Sequence, residues 1–159
     1  MRSLIIYYSY SGHTGKVAGI FADILKGKGT VDLQPLKPKD EITSFFAQCR
    51  AAFARKRAEL EDGPIYNVSA YDLIIIGSPV WAFAPTPAVN TYLDKVNGLH
   101  GKRVVVLLNS GSGAGVKKCF DNIEQVLRNK GASDIARINI PDRMLNDGNF
   151  ISGSLEKVL

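Results

Sequence analysis

Three short stretches of this chain are apolar almost without interruption: LIIYYS at residues 4–9, DLIIIG at 72–77 and RVVVLLN at 103–109. A strand with one face in water alternates apolar and polar side chains. A strand that is apolar on both sides needs cover on both faces, which is the condition of a parallel sheet packed between layers of helices. The intervening sequence supplies the cover. Residues 14–26 place Val17, Ile20, Phe21, Ile24 and Leu25 on one helical face, with Gly27 and Gly29 ending the helix. Residues 87–96 do the same with Val89, Tyr92, Leu93 and Val96, and Pro87 suits a first helical turn. Residues 116–130 place Val116, Cys119, Phe120, Ile123, Val126 and Leu127 inward.

Two weaker strands complete the pattern. Residues 30–36 alternate imperfectly, and Pro35 and Pro38 suit an edge of the sheet. Residues 134–140 form the last strand. Between the second and third strands, residues 41–60 are expected to form a long amphipathic helix, with Ile42, Phe45, Phe46, Cys49, Ala52 and Phe53 at helical spacing. Residues 141–149 read as loop, and 154–159 leave room for little more than one helical turn. Strands and helices therefore alternate. Right-handed crossovers fold such a chain into an α/β, doubly wound, five-stranded parallel sheet within a three-layer sandwich. With 159 residues and neither repeat nor linker, a single domain over 1–159 is expected.

Charge and cysteine content narrow the function classes. The formal net charge is +5. The densest basic run, Arg55-Lys56-Arg57, lies on a helix-like segment without a nucleic-acid motif and reads as a solvated face. No nucleic acid partner is expected. Cys49 and Cys119 are far apart and read as small, reduced core residues; with two histidines they offer no metal cluster. The apolar run after Met1 is too short for a signal peptide, and no stretch reaches membrane-span length, so a cytoplasmic protein is expected.

In an open parallel sheet, ligands bind beyond the carboxyl ends of the strands. Three loops lie there. The first is Ser9-Tyr10-Ser11-Gly12-His13-Thr14-Gly15. Its hydroxyls are closely spaced, Gly12 permits a tight turn, and the loop opens a helix whose first N–H groups and dipole favour an anion. The alternative is a simple helix cap by Ser11 or Thr14, but three hydroxyls and two glycines exceed what a cap needs. Walker-type and dinucleotide fingerprints both fail: Gly15-Lys16 is followed by Val17, and Gly111, Gly113 and Gly115 have the wrong spacing. The second loop, Ser78-Pro79-Val80-Trp81-Ala82-Phe83-Ala84-Pro85, carries the sole tryptophan of the sequence between prolines. Packing alone would account for Trp81, yet a stiff aromatic loop at the sheet edge also suits a flat ligand. The third loop follows Asn109: Ser110-Gly111-Ser112-Gly113-Ala114-Gly115.

With these loops in view, the chain resembles the flavodoxin family from its start to about residue 140. Ser9-Tyr10-Ser11-Gly12-His13-Thr14 is similar to the family's phosphate loop, and DLIIIGSPVW to its third strand and aromatic loop. The resemblance implies strand order 2-1-3-4-5 and bound FMN. It implies that Ser9, Ser11, Gly12 and Thr14 hold the phosphate with the N–H groups of Tyr10 and His13. Trp81 would lie against the flavin ring, the backbone around Pro79, Val80, Ala82 and Phe83 beside it, and Asn109, Ser110, Gly111, Ser112 and Gly113 near the pyrimidine side. Electron transfer with a redox partner protein is the function implied; the alternative is an FMN-dependent reductase passing hydride from NAD(P)H to a quinone or similar small acceptor. None of the three loops carries an acidic side chain, so a less negative reduction potential than in acidic members is expected. The short C-terminal stub leaves one sheet face bare, and a homodimer is expected to cover it.

Overall fold

The computed structural model describes residues 1–39, 47, 50, 54 and 56–159. Five strands, β1 (Arg2–Tyr7), β2 (Thr30–Pro35), β3 (Leu73–Pro79), β4 (Arg103–Ser110) and β5 (Asp134–Pro141), pair in parallel in the order β2-β1-β3-β4-β5. Register runs Ile5 beside Leu33 and Ile75, Ile75 beside Val105, and Val105 beside Ala136. The helices are α1 (His13–Lys26), α2 (Pro87–Lys95), α3 (Val116–Asn129) and α4 (Gly148–Glu156).

Strand alternation divides the core into two layers. Leu4, Ile6, Ile74, Ile76, Val104, Val106 and Leu108 face α2 and α3, meeting Val89, Tyr92, Phe120, Ile123 and Leu127. Ile5, Ile75, Val105 and Leu107 face α1 and α4, meeting Val17, Phe21, Leu25, Ile151 and Leu155. This two-sided burial is why β1, β3 and β4 are apolar throughout; each such side chain contributes about 1.5–3 kcal/mol. The edge strand β2 is mostly exposed or half-buried, as its prolines suggest. Cys119 is buried, and burial pushes its thiol up to about 12. Cys49 lies outside the described residues.

Two expectations need correction. The first is the C-terminal stub. Residues 148–156 form a full helix, with Asp147 as N-cap accepting a hydrogen bond from the Phe150 N–H at 2.9 Å. Gly148 and Gly153 lower helix propensity, but burial of Ile151 and Leu155 one turn apart outweighs that cost. α4 therefore covers the sheet face that a homodimer was expected to cover, and that argument for self-association lapses. The second is the helix expected over 41–60. Most of it lies outside the described residues; Ala47 and Arg50 are helical, and the Ala54 N–H donates to the Arg50 carbonyl at 3.0 Å, but positions 56–60 are not helical, so the correction concerns where the helix ends. Leu60 bridges Pro38, and the Ala58 N–H donates to Thr91 Oγ1 while that hydroxyl donates to the Ala58 carbonyl. Arg57 pairs with Asp94 of α2. These bonds dock the segment in extended form.

An ionic cluster ties α3 to β5. Glu124, 18% exposed, accepts from Arg128 Nε at 2.9 Å and Arg137 Nε at 2.8 Å. Arg137 and then Arg128 hold its carboxyl below the ordinary value of 4.5. A carboxyl lowered by folding stabilises the protein above its unfolded value, and that stability is lost as pH falls through the folded value. Glu124→Gln is expected to cost about 1 kcal/mol at pH 7, modest because both arginines are well exposed. Urea melts of both proteins should converge as pH drops well below 4.5; a difference independent of pH would count against the cluster.

Candidate functional site

The carboxyl ends of β1, β3 and β4 surround a cleft of about 330 Å³, within the roughly 300–1,000 Å³ range of small-molecule sites. The first loop contributes Tyr10, Ser11, His13 and Thr14; the second contributes Pro79, Val80 and Trp81; Asn109 and Gly111 come from the third. Residues separated by a hundred positions in the chain thus meet at one sheet edge.

The first loop is shaped by its glycine. Gly12 adopts a left-handed φ of 86° as the residue before α1. The N–H of Gly15 donates to Ser9 Oγ at 3.1 Å, latching the loop across the helix start. The N–H groups of His13 and Thr14 have no acceptor among the described residues. They are the unpaired donors that every helix start leaves. Ser9 and Gly12 themselves face a neighbouring groove with Tyr7, Pro35 and Lys37 rather than the cleft. Gly77 of β3 lets the strands close behind this loop: a Cβ there would lie 2.9 Å from Tyr7 Cβ and 3.1 Å from Thr14 Cγ2.

In the second loop, the Trp81 N–H donates to the Ala84 carbonyl and the Ala84 N–H returns the bond to Trp81. Between them, Ala82 and Phe83 have φ of 46° and 68°. This has the form of a type I′ turn, which favours glycine or asparagine at both positions. Each left-handed residue costs about 1–2 kcal/mol. Phe83, 45% exposed, lies over Gly115 at the start of α3 and so braces the second loop against the third. Trp81 is only 7% exposed, with Tyr8 and Tyr10 meeting its ring edge-on, each 5.8 Å between centroids. Its ring is thus largely part of the core, and Tyr10 is the more accessible aromatic of the cleft.

In the third loop, Ser110 is buried and donates to Asn139 Oδ1 at 3.1 Å. Ser112 Oγ accepts from the Ala114 N–H, and Gly113 has a φ of 76°. Asn109 Nδ2 donates to the Ile140 carbonyl at 3.1 Å. Ala82, Phe83, Ser110, Ser112 and Gly113 shape the loops without lining the cleft.

A model of the flavodoxin family, described as Flavodoxin, matches residues 2–157. The chain belongs to the flavodoxin family. Solved structures agree on the fold. A protein from Bacteroides eggerthii DSM 20697 assigned as a flavoprotein is 20% identical, with a TM-score of 0.74 over 99% of this chain and 97% of that one. A flavoprotein from Lactobacillus acidophilus NCFM, solved in complex with FMN, is 24% identical, with a TM-score of 0.70 over 93% of this chain and 98% of that one. Oxidised flavodoxin 1 from Bacillus cereus is 17% identical, with a TM-score of 0.64 over 100% and 99%.

The cleft of this flavodoxin-family chain also holds a residue that sequence reasoning missed. Asp142, just beyond β5, lines it. Its Oδ1 lies 3.3 Å from His13 Nδ1, and a Cβ on Gly111 would sit 3.4 Å from its Oδ2. The three loops carry no acidic side chain of their own, and Asp142 brings a carboxylate to the cleft from outside them. Counting charges loop by loop could not find Asp142, because it belongs to a fourth strand end. The signal available was positional: the first acid after the last strand of a parallel sheet. Among the described residues, no helix is long and apolar enough to cross a membrane.

Proposed function

We propose that the chain binds FMN in this cleft and serves as an electron-transfer protein for a redox partner. The observation that carries the reading is the first loop, where unpaired N–H groups of His13 and Thr14 accompany the Ser11 hydroxyl at a helix start lining the cleft. Such a cradle suits a phosphate without help from lysine or arginine.

In this reading Ser11, His13 and Thr14 hold the phosphate, Gly12 supplies the left-handed turn before them, and Ser9 keeps their loop in shape through Gly15. Tyr10, Val80 and Trp81 border the ring, and Gly111 closes the far wall. Asp142 fixes the His13 imidazole beside the phosphate and opposes excess negative charge in the cleft. Bound FMN supplies the redox chemistry, and the protein supplies binding, orientation and electrostatics.

The test is a visible absorption spectrum of the protein with FMN, before and after anaerobic NADPH or NADH. The expected result is a perturbed flavin spectrum that persists with both nucleotides, because a carrier takes electrons from a partner. Rapid bleaching by either nucleotide would make the protein a reductase. An unperturbed spectrum would remove FMN from the reading.

A further inference from the structure

The lining of the cleft contains one carboxylate, Asp142, and neither lysine nor arginine. Lys16, the cation closest in sequence to the first loop, donates from its Nζ to Asn146 Oδ1 at 2.9 Å. A phosphate monoester carries about −1.5 to −2 charges at neutral pH. A phosphate bound at the start of α1 would therefore share the cleft with a further negative group, and like charges partly withdrawn from water repel. The arrangement leaves a place for a cation that the chain itself does not supply.

The side chains beside that place have the spacing of metal ligands. His13 Nδ1 lies 3.3 Å from Asp142 Oδ1, and both side chains remain accessible, at 44% and 39%. The separation is longer than an ordinary charge-assisted hydrogen bond, about 2.7–2.9 Å. It matches two ligands of one tetrahedral zinc, whose bonds of about 2.0–2.2 Å place neighbouring ligand atoms about 3.3–3.5 Å apart. Asp142 Oδ2 is turned toward Gly111, where a Cβ would come within 3.4 Å of it, so the carboxylate spans the third loop and the first. With its proton on Nε2, the His13 ring offers a lone pair at Nδ1. Imidazole with carboxylate and phosphate oxygens is a donor set that suits zinc, whereas magnesium prefers oxygen and water alone. No group of three His, Cys, Asp or Glu side chains that could hold a metal is present among the described residues, so this pair needs a further donor from a ligand.

We infer that His13 Nδ1 and Asp142 Oδ1 form half of a zinc site that the phosphate of bound FMN completes, so that metal and flavin bind cooperatively. The inference rests on the FMN reading above. Two protein ligands and one phosphate oxygen leave the fourth position to water. Zinc strengthens FMN binding by the same factor by which FMN strengthens zinc binding. The ion turns Asp142 from a group that repels the phosphate into one that helps to hold it.

The experiment measures dissociation constants of FMN and riboflavin by fluorescence quenching, in EDTA and at a fixed micromolar concentration of free zinc, for the wild type and Asp142→Asn. Zinc should tighten FMN binding to the wild type about tenfold or more and leave riboflavin, which lacks the phosphate, unchanged. Asp142→Asn should bind FMN more tightly than the wild type in EDTA, because a repelling charge is gone, and should lose the response to zinc. A purely structural role for Asp142 would instead weaken FMN binding in both media, and that result would overturn the inference. So would magnesium that acts as well as zinc. A wild-type measurement covers the case of a variant that does not fold. The chain has two histidines, and His100 lies against Gly131 and does not line the cleft. The ring nitrogen-15 resonances of His13, assigned with a His100→Gln variant, should move when zinc joins the FMN complex; unmoved resonances would overturn the inference. FMN bound equally in zinc and EDTA would defeat the inference alone, whereas wild-type protein that binds FMN in neither medium would defeat the FMN reading and the inference with it.

Discussion

Riboflavin is expected to bind at least about a hundredfold more weakly than FMN. The two ligands differ by one phosphate. In the proposed site that phosphate would meet two unpaired backbone N–H groups at the start of α1, from His13 and Thr14, and the hydroxyl of Ser11. Hydrogen bonds to a charged group contribute about 1.5–3 kcal/mol each. Asp142 opposes part of this, since its carboxylate borders the same cleft. A net loss of about 3 kcal/mol corresponds to roughly a hundredfold in affinity. Parallel fluorescence titrations at one pH and ionic strength decide the matter. Equal affinities would mean that the phosphate lies elsewhere and that Ser11, Gly12 and Thr14 merely start a helix.

The second large effect concerns Gly115. A Cβ at that position would lie 2.1 Å from Phe83 Cδ1 and 2.8 Å from Phe83 Cα, so backbone as well as side chain must move. Gly115 also has a left-handed φ of 77°, which costs a substituted residue about 1–2 kcal/mol. Gly115→Ala is therefore expected to lose about 2–4 kcal/mol of stability. Flavin affinity should fall roughly tenfold or more as the turn holding Trp81 is displaced. Gly113→Ala provides the control. It has nearly the same φ, 76°, with nothing within 4 Å of the added atom. Its cost should be the backbone strain alone. Denaturant melts of the two variants isolate the Phe83 contact by difference, and equal losses would show that Phe83 does not brace the loops.

The sheet was legible because its physics is local in sequence. Runs such as DLIIIG have one use in a folded chain, and β1, β3 and β4 lie within two residues of where those runs predict. The turn that opens α1 was legible for a similar reason, since Gly12 sits directly before the helix. What stayed hidden depended on tertiary packing. α4 contains two glycines that argue against a helix, and only the sheet face beneath Ile151 and Leu155 argues for one. Asp142 carries no local mark of a site residue; strand order alone brings it to His13. Trp81 showed its presence at the site but not its burial, because Tyr8 and Tyr10 enclose it from a different loop.

The cleft has no wall that belongs to a single segment. Its lining is drawn from the ends of β1, β3, β4 and β5, and the register between those strands sets the spacing of every contact. A chain missing any one of these strands has no partial version of the site to offer. The ligand consequently acts as a reporter of completeness. It gains affinity at the last stage of assembly, when all four strand ends are in place, and its binding energy adds to the stability of the whole sheet rather than to any one piece. Loss of the region beyond β5 would remove both part of the cover over one core layer and one side of the cleft, so this region is as much a part of the site as the loop that opens it.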